Sequence, residues 1–117
     1  MKIIQVHNYY KQPGGEDSVV KAELNLLQKA GHTVIPFYHS NSCILGMWQQ
    51  FISSFKAIWN IRVYLDFKRL LKKERPDVVH CHNTFPLISP ALYWSCASEN
   101  IPVVQTLHNF RLSCLNS

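Results

Sequence analysis

IIQVHNYYKQPGGEDSVV (residues 3–20) passes from an apolar, β-branched run through a diglycine turn into an acidic helix start. That order, strand then tight turn then helix, decides how the rest of the chain is read. Residues 2–6 (KIIQV) have the short, continuous apolar character of a buried strand. Over residues 16–30, Val20, Leu24, Leu27 and Ala30 recur at helical spacing with Lys and Gln between them. Gly31 then supplies a helix stop.

The same alternation repeats outward. TVIPFY (33–38) reads as a second strand, and Pro36 inside it argues for a sheet edge. Residues 45–74 carry a long helical period, with a break near Asn60. DVVHC (77–81) is a third strand, 90–98 a helix, and PVVQTL (102–107) a fourth strand. Strands that are apolar throughout, alternating with helices, predict an α/β fold: a parallel, Rossmann-like sheet of about four strands flanked by helices on both faces. The sequence runs only ten residues past Leu107, with no helix to follow the last strand. Residues 1–117 are therefore expected to be a single, incomplete domain cut from a larger protein.

A chain of 117 residues can bury one small core. Its 47% hydrophobic content fits an ordinary globular protein. No stretch approaches the roughly 18–20 apolar residues of a membrane span. The apolar run before His7 is short and lacks a small-residue cleavage site, which argues against a signal peptide. Cys43, Cys81, Cys96 and Cys114 show neither CxxC pairing nor zinc-ligand spacing, so they read as free thiols of a cytoplasmic protein. The net charge of +5 is concentrated: seven of the twelve Lys and Arg residues lie between positions 56 and 75. Such an excess attracts anionic lipid, nucleic acid or phosphorylated substrates.

His-Asn occurs three times, at His7-Asn8, His82-Asn83 and His108-Asn109, each time at the end of an apolar run. Right-handed crossovers bring such strand ends to one edge of a parallel sheet, where open α/β folds hold their ligand crevice. Strand alternation puts His80 and His82 on one face and Cys81 on the other. Each His-Asn pair alone is an ordinary way to satisfy loop backbone, but three on one sheet point to a site. A metal is not expected, because no pair has the HxxxH or HExxH spacing that fixes ligands on one element. Gly14 and Gly15 precede a helix whose free N–H groups and dipole suit a phosphate, and glycine lets the backbone approach closely. The pattern is neither GxGxxG nor GxxxxGK[ST], so a dinucleotide fold or P-loop is not supported. Glu16 and Asp17 are expected to stabilise the first helical turn, with contact to sugar hydroxyls as the functional alternative.

KIIQVHNYYKQPGGEDSVV, AGHTVIPF, RPDVVHCHNTFPLISP and IPVVQTLHNFRLSC, in this order, resemble the N-terminal, acceptor-side domain of family 4 glycosyltransferases. The resemblance spans nearly the whole chain; residues 40–75 add nothing to it. It implies a GT-B architecture, with two Rossmann-like domains facing across a cleft, and retaining transfer from a nucleotide-sugar without a metal or other cofactor. It further implies that Gly14 and Gly15 lie beside the donor diphosphate and that His108 is the active-site histidine. Glu16, His82, Asn83 and Arg111 would then face the acceptor, a glycan or lipid-linked molecule. The second domain that grips the nucleotide is missing, so the chain alone is expected to have little or no transferase activity.

Trp48, Phe51, Ile52, Phe55, Trp59 and Val63 form one apolar stripe at helical spacing. Packing on the sheet is its expected role; a peripheral membrane surface on the inner face is the alternative. No nucleic-acid-binding motif accompanies the basic residues, so nucleic acid is not expected as a partner. An uncovered sheet flank makes a homo-oligomer an expectation. The rival to the transferase reading is a non-catalytic, flavodoxin-like ligand- or protein-binding module.

Overall fold

The alternating pattern folds as β1 (Lys2–Tyr9), α1 (Gly15–Lys29), β2 (Thr33–Ser40), α2 (Ile61–Glu74), β3 (Val78–Asn83), α3 (Ala91–Ser98) and β4 (Val103–Gln105). These elements belong to a computed structural model, in which residues 1–9, 14–40, 61–83 and 91–108 are described. All three strand pairings are parallel, in the order β2-β1-β3-β4. β2 ends that order, so the ladder that Pro36 weakens is on the flank, as its missing N–H requires. From β1 the chain first moves outward to β2, then crosses back over β1 to lay down β3 and β4. The strand order therefore reverses between β1 and β3, and the crevice of an open α/β sheet opens at the carboxyl ends of those two strands.

The sheet has two unlike faces. On one, Ile4, Val6, Val79 and Cys81 pack against Val63, Phe67 and Leu71 of α2 and Leu92 and Cys96 of α3. The α2 residues recur every fourth position, which makes one buried stripe, and Phe67 and Leu71 are fully enclosed. Burial of each contributes about 1.5–3 kcal/mol. Cys81 and Cys96 are free thiols inside this core, and burial pushes the Cys96 thiol up to about 12. The opposite face is covered by α1, and there the strands present Gln5, His7, His80 and His82.

Helix ends follow local chemistry. At the end of α1, Gly31 has φ +88°. The Gly31 N–H donates to the Gln28 carbonyl and the His32 N–H to the Leu27 carbonyl. This is a Schellman cap, for which a glycine without a Cβ is the favoured residue. Asn100 ends α3 in the same way at φ +56°, its N–H donating to Ala97 and that of Ile101 to Cys96.

Several boundaries differ from the pattern. β1 continues through Tyr9 rather than stopping at Val6, because Gln5, His7 and Asn8 are polar yet fully buried. His7 and Asn8 are thus part of the strand, and so are His82 and Asn83. β4 ends at Gln105, not Leu107. α1 starts at Gly15, and its last apolar-period residue, Ala30, is exposed as the C-cap. Residues 45–60, with most of the aromatic stripe and the break near Asn60, lie outside the described residues. Of that stripe Val63 is described, and it is buried in the core.

The basic excess on α2 is partly neutralised. Lys68 and Lys72 both approach Glu99 at 3.9 Å, and Arg69 pairs with Asp66 at 3.4 Å. Among the described residues no helix is long and apolar enough to cross a membrane.

Candidate active site

The polar face under α1 is built from strand alternation. On β1, Gln5 and His7 point to the same side, and on β3 so do His80 and His82, whose rings lie 4.4 Å apart. The β1–β3 register shifts after Val6, so that Cys81 pairs with Val6 but Asn83 pairs with His7. His82 is the extra residue of a bulge, a device that re-aims a side chain at the end of a strand. α1 lies over these groups and contributes Asp17, Val20 and Glu23, three to the turn-spaced face that a helix turns toward a sheet.

Asp17 links the glycine turn to the strand. Its Oδ1 lies 2.8 Å from Nε2 of the fully buried His7, and its Oδ2 accepts the Gly14 N–H at 3.2 Å. The Asp17 N–H in turn donates to the Gly14 carbonyl at 3.1 Å. Glycine has no side chain to complete the reciprocal half of a capping box, so the carboxylate alone caps the helix. Of the two acids expected to steady the first turn, Asp17 does so. Nδ1 of His7, also buried, has no hydrogen-bonding partner among the described residues.

Glu23 is the hub of the site. One carboxylate oxygen lies 2.5 Å from Nδ1 of His80 and the other 2.8 Å from Nε2 of His82. The far nitrogen of His80 meets the Thr106 hydroxyl at 2.7 Å, and Nδ1 of His82 meets Nε2 of His108 at 3.0 Å. His82 and His108, 26 residues apart in the chain, therefore converge with nearly parallel rings. Gln105 fixes the approach of the β4 end by donating to the His82 carbonyl at 3.0 Å. Burial, and then the neighbouring rings of His80, His108 and His7, hold His82 down to about 4. His82 is neutral at pH 7, and its contact with Glu23 is an N–H donating to a carboxylate.

Gly14 and Gly15 are both exposed, and neither has a positive φ. A Cβ on Gly15 would meet nothing within 4 Å, and on Gly14 only the Glu16 Cγ at 3.7 Å. Nothing among the described residues demands glycine there. The first N–H groups of α1, at Gly15 and Glu16, have no intrahelical acceptor and sit at the positive end of the helix dipole.

The structure thus brings together His82 and His108 and ties the glycine turn to them through Asp17 and His7, whose ring lies 6.3 Å from that of His82. Glu16 is half-buried in the first turn of α1. Asn83 ends β3 opposite His7. Arg111 and Asn109 lie outside the described residues. Sequence reasoning missed Glu23, Gln5 and Thr106, and the pairing of Asp17 with His7. The signal that could have found Glu23 was its place among Val20, Leu24 and Leu27, on the helix face that meets the sheet.

Glu23, His80 and His82 also form a group whose candidate ligand atoms lie within 4.8 Å of one another, a donor set that spacing on one element had not revealed.

The profile of Glycosyltransferase Family 4 matches residues 13–113. No curated protein matches the chain. Among solved structures, the fold is similar to S. aureus MnaA in complex with UDP, with a TM-score of 0.55 and 14% identity over 90% of this chain and 28% of that one. It is similar too to the UDP-GlcNAc 2-epimerase from Neisseria meningitidis bound to UDP-GlcNAc, with a TM-score of 0.56 and 14% identity over 97% of this chain and 35% of that one. The chain spans about a third of the length of these structures, and at such identity the likeness is one of fold.

Proposed function

This chain belongs to Glycosyltransferase Family 4, and from that premise we propose that it is the acceptor-side half of a retaining, nucleotide-sugar-dependent glycosyltransferase of GT-B architecture. His108 lies beside the transferred sugar, and Gly14 and Gly15 beside the donor diphosphate. Glu16, His82, Asn83 and Arg111 face the acceptor, a glycan or lipid-linked hydroxyl compound. The donor is a UDP-sugar, a reading supported by similar folds that hold UDP in one case and UDP-GlcNAc in the other.

The observation that carries this reading is the meeting of His82 and His108 at 3.0 Å at the sheet's switch point. The glycine turn is held to the same edge through Asp17 and His7. Retaining transfer develops an oxocarbenium-like sugar while a nucleoside diphosphate departs. The tasks left to the protein are to stabilise the departing charge and to orient the incoming hydroxyl. The N–H groups of Gly15 and Glu16, at a helix N-terminus and open to close approach, suit the first task. Asp17, which would repel a diphosphate if free, has both oxygens engaged by His7 and Gly14. An imidazole at His108, held by its contact with His82, suits the second.

The test is a titration of UDP-GlcNAc and of UDP into the chain, followed by calorimetry and by the ring resonances of its histidines. For residues 1–117 by themselves, affinity is expected near the millimolar level, about −4 kcal/mol. The rings of His82 and His108 and the amides of Gly14 and Gly15 should shift along one isotherm, and His108→Ala should weaken it. Resonances at these positions that stay fixed through saturation would overturn the proposal.

A further inference from the structure

From the hydrogen-bond chain under α1 we infer that Glu23 is a positioning residue, which sets the tautomer of His82 and, through it, that of His108. The link to catalysis rests on the role proposed above for His108; the tautomers themselves do not.

A carboxylate only accepts hydrogen bonds, so each imidazole nitrogen facing Glu23 carries a hydrogen. Nδ1–H of His80 donates to one oxygen and Nε2–H of His82 to the other, at 2.5 and 2.8 Å. A neutral His82 with its hydrogen on Nε2 leaves Nδ1 as an acceptor. The group that meets Nδ1, at 3.0 Å, is Nε2 of His108, which must then be the donor. His108 therefore keeps its hydrogen on Nε2 and its lone pair on Nδ1. On the other branch, the Thr106 hydroxyl that meets His80 can donate or accept, so that branch forces nothing.

The site also contains a competitor. The Gln5 amide nitrogen, a donor only, lies 3.3 Å from Nε2 of His82. Its orientation is set by the Tyr38 hydroxyl, which donates to Gln5 Oε1 at 2.6 Å, and by the Val20 carbonyl, which accepts from Nε2 at 3.3 Å. Gln5 would place the His82 hydrogen on Nδ1; Glu23 places it on Nε2. The carboxylate is closer and charged, so it prevails. Without it, the chain of donors would run the other way, with Nδ1–H of His82 donating to Nε2 of His108 and the His108 hydrogen moved to Nδ1. The same Glu23, His80 and His82 atoms are of metal-ligand type, but each of those facing the cluster is already engaged in a hydrogen bond.

The experiment is a long-range proton–nitrogen correlation of the histidine rings in the 15N-labelled chain at pH 7. Wild type is expected to show His82 and His108 as Nε2–H tautomers. Glu23→Ala should move the hydrogen to Nδ1 in most molecules at both rings together, while Gln5→Leu should leave both as in wild type. If Glu23→Ala does not fold, the wild-type and Gln5→Leu spectra decide alone. A wild-type His82 or His108 carrying its hydrogen on Nδ1, or a folded Glu23→Ala with His108 unchanged, would overturn the inference. So would tight Zn²⁺ binding by the wild-type chain that strips the facing hydrogens from His80 and His82. UDP-sugar binding reads the function proposed above, and ring tautomers read this relay, so the two can fail separately.

Discussion

Replacing Gly15 by alanine separates a glycine kept for the fold from one kept for a ligand. Gly15 is the first residue of α1, its φ is not positive, and a Cβ there meets no atom within 4 Å. In the unliganded chain the substitution only restricts the unfolded ensemble and improves helix propensity. It should stabilise by about 0.4–1 kcal/mol. For a domain of this size that raises Tm by roughly 2–4 °C. A donor diphosphate lying against the helix N-terminus would, however, meet the new methyl group at its point of closest approach. UDP-sugar affinity should drop by about tenfold or more, a loss of roughly 1.4 kcal/mol. Thermal denaturation and ligand titration of the same sample read the two effects, and they are expected to have opposite signs. A fall in Tm would mean that the turn needs its glycine for folding. A rise in Tm with unaltered affinity would remove the diphosphate from this turn.

Other perturbations act through named contacts. Asp17→Ala leaves Nε2 of the buried His7 unpaired and uncaps Gly14, and should destabilise the chain by about 1–3 kcal/mol in urea denaturation. Phe67→Ala opens a cavity between α2 and the sheet and should cost about 3–5 kcal/mol by the same measurement. The depressed His82 makes stability depend on pH: the unfolded ring titrates near 6.5 and the folded one at about 4. Its contribution is complete above 6.5 and is lost as pH falls toward 4, because the unfolded chain there binds the extra proton. A ring titration of His82 with a midpoint near 6.5 would contradict this. The chain alone should transfer no measurable sugar from a UDP-sugar to any acceptor in a radiochemical assay. Turnover at an ordinary enzymatic rate, about 1–1,000 per second, would show that residues 1–117 suffice for transfer.

The sheet was legible in the sequence because KIIQV, TVIPFY, DVVHC and PVVQTL are short, mostly apolar runs that alternate with helical periods, the pattern of a parallel sheet between helix layers. Pro36 marked the flank for a simple reason: it has no N–H to give a second neighbour. The carboxyl edge was legible too, since parallel crossovers bring strand ends together whatever their side chains. The polar layer under α1 was not. Gln5 and His7 are fully buried, and apolar periodicity places polar residues of this kind at strand ends or in solvent. Glu23 stands between Lys21 and Leu24 and looks like part of a solvated helix face. Its half-buried place over His80 and His82 is set by where α1 lies on the sheet, which only its neighbours Val20, Leu24 and Leu27 hint at. The Glu23, His80 and His82 group shows the same limit: spacing within single elements does not reveal a third donor that comes from a helix far away in the chain.

The most direct test of the whole account is a crystal structure of the chain soaked with a UDP-sugar. The phosphates are expected at the N-terminus of α1, within hydrogen-bonding reach of the Gly15 and Glu16 amides, and the sugar against His108. Clear density for the nucleotide elsewhere on the molecule, with the carboxyl edge of β1 and β3 free of it, would contradict that prediction.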